Sequence, residues 1–154
     1  MSILPDSVAT TSRINTERIP RAEEWAWDFD LRDFKTKSGR MYKVYDDEAI
    51  KIWIWKLFLT ERYQWIIHSA IYGGEHHTLI GRGYTASYIN SLAEQMTRDA
   101  IELNLGKYIK DIQPINGLTP LVYFKRGTLY ITFYADTIYN KEVRFNLVYN
   151  SFSR

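Results

Sequence analysis

The chain has 154 residues, 20 Lys and Arg against 18 Asp and Glu for a net charge of +2, and no cysteine. That length suits one domain, which buries roughly two-thirds of its unfolded surface and needs no metal or disulfide to hold it. The missing thiols exclude a disulfide scaffold and thiolate chemistry, and the near-balanced charge shows no clustered basic surface of the kind nucleic-acid binders present. Aromatic residues are abundant, with 12 Tyr, 7 Phe and 5 Trp. They suit an aromatic core or an interface, since Tyr and Trp pair a large apolar body with a polar tip.

Residues 1–20 hold Ser, Thr, two prolines and scattered charge with no hydrophobic period. They predict an extended arm, either disordered or laid against a neighbour. A basic region followed by a long apolar one is missing there, so no secretory signal is expected. Residues 21–154 are expected to form one α+β domain. Trp25, Trp27, Phe29 and Leu31 alternate with Ala26, Asp28 and Asp30, the period of a half-buried strand. Turn residues Lys37, Ser38 and Gly39 and a returning strand over 41–45 predict an N-terminal β-hairpin across 25–45. Asp46, Asp47 and Glu48 then suit a helix start, with carboxylates capping free N–H groups and facing the positive dipole end.

That first helix runs to Leu59. Ile50, Trp53, Ile54, Leu57 and Phe58 form one continuous face. Ile52, Trp55 and Leu59 form a second apolar stripe opposite, with Lys51 and Lys56 in the seams. A helix dry on both sides is buried on both sides. One side can pack on the domain's own sheet; the other needs more of this protein or a partner chain. The apolar run is too interrupted by Lys51, Lys56, Glu61 and Arg62 to cross a membrane as a helix. Residues 63–72 read as a short strand or an irregular buried segment ending at Gly73 and Gly74. Ile89, Leu92, Ala93, Met96, Ala100 and Leu103 stripe a second main helix, with Asn90, Glu94, Arg98, Asp99 and Glu102 on its wet face and Gly106 at its stop. The last third is β. Strands over 108–112, 121–125, 129–136 and 143–149, with turns at Arg126 and Gly127 and at 139–141, predict an antiparallel sheet of three to four strands. Pro114 and Pro120 bound the earlier pair.

Candidate chemistry is sparse. His68, His76 and His77 lie near Glu75, but no ligand spacing completes a metal set, and loop histidines facing water are expected. Glycoside hydrolysis needs two carboxylates across a cleft. Glu61 offers one and Glu75 the nearest second, yet Arg62 beside Glu61 favours its ionised form and works against a general acid. Gly81, Arg82 and Gly83 before the second helix lack the further residues of a phosphate-binding loop. No cofactor and no metal are expected. Thr60, Glu61 and Arg62 remain, at the mouth of the dry helix, as a solvated terminus or as a joint fixing register across an interface.

The order of parts resembles the baseplate wedge proteins of contractile phage tails, in a group similar to the sheath-initiator family that carries a lysozyme-like label. Within that group it resembles the small wedge protein of defective prophages and bacteriocin-like tails of Gram-positive bacteria. The resemblance rests on a WDFD strand, DDEAIKIWIWKLFLTERYQW, the Tyr72 and Gly73 pair, and Leu79, Ile80 and Gly81, in that order, over residues 25–150. It implies a non-enzymatic structural subunit in multiple copies of a sixfold baseplate, located in a virion or tail particle assembled in the host cytoplasm. The implied partners are other wedge proteins, the sheath subunit and the tail tube or hub, with no nucleic acid and no membrane. It places Glu61 and Arg62 where wedge subunits and the first sheath layer meet. The wider family's common form separates the acid from the base or puts a glycine before the acid; here Thr60 precedes Glu61 and Arg62 follows directly. The expected interface is Thr60, Glu61 and Arg62 with Ile52, Trp55 and Leu59, and the strand over 143–149 is expected to offer an edge to a sheath subunit by strand addition. The rival readings are a muramidase-type hydrolase using Glu61 and a free-standing protein-binding regulatory module.

Overall fold

The computed structural model describes residues 18–63, 71–115 and 121–150. The fold is α+β. Residues 1–17 of the arm predicted over 1–20, the segment 64–70 with His68, and Pro120 lie outside the described residues.

The N-terminal hairpin is a chain of three short antiparallel ladders. β1 (Glu23–Trp25) pairs with β6 (Lys43–Tyr45), β2 (Trp27–Asp28) with β3 (Asp33–Phe34), and β4 (Thr36–Lys37) with β5 (Arg40–Met41). The expected alternation through Leu31 fails because the chain turns early. The Asp28 carboxylate accepts the N–H groups of Asp30 and Leu31, at 2.9 Å each. Such Asx geometry competes with a continuing strand. Ala26 is the buried residue at 2 % exposure, while Trp25 stands 40 % exposed.

α1 spans Asp47–Leu59. Asp46 precedes it but caps nothing; the Arg21 guanidinium takes both its oxygens, at 2.8 and 2.9 Å. Asp47 instead accepts a 2.6 Å bond from the Thr137 hydroxyl, tying the helix start to the end of the sheet. Both sides of α1 are dry, except at Leu59 at the end of the second stripe, which is 43 % exposed. Ile50, Ile54, Leu57 and Phe58 are buried, and Phe58 lies against Phe133 and Phe145, ring centres 6.3 and 5.6 Å away. The second side meets the protein's own N-terminal ladders. Trp55 packs against Trp27 and Phe29 at 5.5 and 5.7 Å, and the Trp53 indole and the Lys56 ammonium both donate to the Glu24 carboxylate.

A 3₁₀ turn at His76–Leu79 precedes α2 (Ala86–Leu105), whose Thr85 hydroxyl accepts the Tyr88 N–H. The buried stripe of α2 is Ile89, Ala93, Thr97, Ala100, Ile101 and Leu105. Leu103, expected inside, is 53 % exposed. Thr97 fits the dry face because its hydroxyl donates to the Ala93 carbonyl at 2.8 Å. Asn90, expected on the wet face, accepts the Phe124 N–H at 2.7 Å and joins helix to sheet. Gly106 ends α2 without a left-handed turn, at φ −60°; a Cβ there would lie 2.5 Å from the Glu102 carbonyl.

The C-terminal sheet has four antiparallel strands, β7 (Ile109–Gln113), β8 (Val122–Lys125), β9 (Thr128–Thr137) and β10 (Glu142–Asn150). β9 is central: β10 covers one edge, while β7 and β8 share the other in the registers Ile112↔Ala135 and Val122↔Ile131. Leu129, Ile131, Phe133, Ala135, Val143 and Phe145 point into the core. Arg126 and Gly127, both at positive φ, make the tight β8–β9 turn whose twist matches the strands.

Candidate assembly joint at the end of the first helix

α1 stops at Thr60, which turns extended while its N–H and hydroxyl both donate to the Lys56 carbonyl, at 3.0 and 2.8 Å. Glu61 then forms a parallel bridge with Gly74. Gly74 N–H donates to the Thr60 carbonyl at 2.9 Å, and Arg62 N–H to the Gly74 carbonyl at 3.1 Å. The two segments lie so close that only glycine fits at position 73. Its φ is +104°, and a Cβ would sit 2.6 Å from Thr60 O and 3.0 Å from Arg62 N.

This clip separates the acid from the base that follows it. The Arg62 side chain is 14 % exposed, with Nη1 3.9 Å from Glu75 Oε1. Its Nε and Nη2 reach the Gly73 carbonyl at 3.4 and 3.3 Å. Arg62 therefore braces the clip from within. Glu61 is half-buried, and its carboxylate makes no hydrogen bond or ion pair among the described residues. Two large apolar groups flank it, Leu59 at 43 % and Tyr63 at 72 % exposure. Tyr63 holds φ at +67°, a left-handed conformation that a bulky residue adopts only at some cost.

Of the residues expected at the joint, Leu59, Thr60, Glu61 and Arg62 come together. Ile52 and Trp55 lie further up α1, Trp55 against Trp27 and Phe29 and Ile52 only 4 % exposed. Sequence reasoning singled out Gly73 but not its steric role, and missed Arg62's use of Glu75. Glu75, the nearest second carboxylate to Glu61, thus faces the Arg62 guanidinium. Among the described residues no three His, Asp or Glu converge on a metal position. Gly81 and Gly83 owe their identity to positive φ in an open turn, with no atom within 4 Å of either Cβ position.

His76 contradicts the expectation of water-facing loop histidines, being 2 % exposed. Its Nε2 lies 2.9 Å from Thr97 Oγ1. Because the Thr97 hydroxyl spends its one proton on Ala93, the imidazole must donate, which fixes the neutral Nε2–H tautomer. The ring packs edge-on to Phe58 at 5.3 Å, and a Cβ on Gly74 would lie 2.9 Å from Nδ1. His76 thus ties the clip to α2. Burial pushes its pKa from 6.5 down to about 4, with the Arg62 charge acting in the same direction. Between those values the unfolded chain binds a proton that the folded chain refuses. Stability present above pH 6.5 is therefore lost as pH falls toward 4, by about 3 kcal/mol in all. Urea midpoints across that window should show the loss, and His76→Gln should flatten it.

A family model described as the contractile injection system sheath initiator matches residues 23–140. The chain belongs to this family. No curated protein gives a significant match. A sheath initiator is a structural component of a contractile injection system, so the chain is tail-associated and works alongside other tail components such as the sheath. The matched span begins with β1 and includes both helices, the clip and all of β9, and it stops before β10.

Proposed function

We propose that this sheath initiator is a baseplate wedge subunit that joins its neighbours around the tail tube through the end of α1 and helps to start sheath polymerisation. The observation that carries this reading is the unpaired Glu61 carboxylate between exposed Leu59 and Tyr63, on a backbone held by the Gly73–Gly74 clip. Apolar anchors around one charge that must find its partner give an interface both area and register. Thr60 and Arg62 contribute by shaping the clip. Ile52 and Trp55 contribute by seating α1, and of the second stripe Leu59 is left to meet a partner. The enzymatic reading gains nothing from the site, where Glu75 is held by Arg62.

A second contact is proposed at β10. It pairs β9 along one edge, and its other edge has no strand beside it among the described residues. An open edge of nine residues is a template for strand addition, the route by which a sheath subunit would be seeded.

Electron microscopy of particles from a strain lacking this chain tests the reading. Naked tubes, or tubes that fail to nucleate sheath, are expected. Normally sheathed tails in that strain would overturn it.

A further inference from the structure

One surface is used by none of the contacts above. Every residue from 30 to 41 is exposed. The segment forms a finger built on β3, β4 and β5. Three apolar side chains stand out from it, Leu31 at 79 %, Phe34 at 45 % and Met41 at 52 % exposure. It also carries Arg32, Lys35, Lys37 and Arg40 against Asp30 and Asp33. That excess of two equals the net charge of the whole chain, so the other residues balance at 16 Lys and Arg against 16 Asp and Glu.

The finger's charges are not used alike. The Asp33 carboxylate accepts the N–H of Phe34 at 2.7 Å. At the root of the finger the Asp28 carboxylate closes the turn, which holds it below the usual carboxylate range. None of the four cations makes an ion pair among the described residues, although Lys37 lies over the Tyr42 ring at 4.3 Å. The backbone is preformed. Ser38 and Gly39 both sit at positive φ, as a tight hairpin turn requires. Trp27 anchors the root, with Phe34 4.9 Å on one side and Trp55 5.5 Å on the other. A preformed element loses little conformational entropy on binding.

We propose that this finger is a docking element distinct from the α1 joint, and that it inserts into an acidic, apolar-lined groove on a neighbouring protein of the tail. Charge complementarity sets the sign of the partner: a finger that carries an excess of two cations on an otherwise balanced chain is satisfied by carboxylates. The three apolar side chains set the lining. An open hollow of about 560 Å³, with Leu31, Phe34 and Tyr42 beside Asp28, Asp33 and Lys35, gives room for a side chain offered in return. A nucleic acid fits less well, because exposed aliphatic groups are interleaved with the cations and two carboxylates sit among them. The inference rests on the chain being a tail component.

The test supplies variants as the only copy in tail-producing cells and measures the chain in purified particles. Lys35→Glu, Lys37→Glu and Arg40→Glu together should leave the purified protein folded with only a small drop in melting temperature, since all three side chains are exposed and what is lost is the surface contact of Lys37 with Tyr42 and the pull of Lys35 on Asp28. Incorporation should fall tenfold or more. Benzoylphenylalanine in place of Phe34, in an otherwise unchanged chain, should crosslink in intact particles to an Asp- or Glu-bearing segment of another tail protein. Incorporation of the triple variant at the normal level overturns the proposal and leaves the α1 joint standing. So do crosslinks that go to nucleic acid or to a basic surface. Absence of the unmodified chain from the particles would overturn the tail reading, and this proposal with it.

Discussion

Gly73→Ala should melt well below the unmodified protein and lose its place in the particle. Two effects combine. At φ +104° an alanine is strained, and its Cβ would press to 2.6 Å against a backbone oxygen that cannot rotate away. Relief requires the two segments to separate, which breaks the Gly74–Thr60 and Arg62–Gly74 bonds and pulls the Gly73 carbonyl from the Arg62 guanidinium. Strain of roughly 1–2 kcal/mol and two backbone bonds at about 1 kcal/mol each give a loss of roughly 3–4 kcal/mol, near the top of the range for single substitutions. In a chain of this size that lowers the melting temperature by roughly 10 °C. Gly81→Ala supplies the control. Its φ is similarly positive, +80°, but nothing lies within 4 Å, so only the conformational cost of about 1 kcal/mol remains. Urea unfolding of both variants checks the difference through their midpoints, with slopes unchanged. Equal losses in the two would mean that close approach at Gly73 plays no part.

The elements that local patterning could reach were legible. Period-two alternation placed β9 and β10 and their inward residues, because each strand has one face on the core and one free of it. Two apolar stripes on α1 correctly demanded cover on both sides. What covers the second stripe was not legible, since Trp27 and Phe29 reach Trp55 across a sequence gap that no periodicity records. The same limit explains Asp46. Its sequence position marks a helix cap, yet Arg21, 25 residues earlier, claims both oxygens. His76 looked like a loop residue between glycines and a second histidine. Its burial depends on Thr97, 21 residues on, turning a hydroxyl toward it from α2. The glycine pair carried a readable hint of the backbone clip. Adjacent glycines before a buried turn often mark a close backbone approach, but its partner, the end of α1, is set by tertiary structure alone.

Glu61→Lys separates folding from assembly more sharply than any other change at the joint. The carboxylate has no partner among the described residues, so the substitution removes no hydrogen bond or ion pair seen in the isolated chain. Its effect on stability should stay within about 0.5 kcal/mol, as for other surface changes. In an assembled wedge the same charge would be desolvated between Leu59 and Tyr63 against a cation of the neighbour. Reversal then sets like charges together at several kcal/mol, and about 2.7 kcal/mol already means a roughly hundredfold weaker contact. Glu61→Gln keeps the shape and loses only the charge, so its incorporation should fall nearer tenfold. Arg62→Ala serves as the opposite case: it removes an internal brace and should depress melting and incorporation together. The measurement is the ratio of this chain to tube protein in purified particles, set beside circular-dichroism melting of each purified variant. Sheathed particles in normal number from Glu61→Lys would remove Glu61 from the interface. An unfolded Glu61→Lys chain would instead show that the carboxylate has an internal role in the fold.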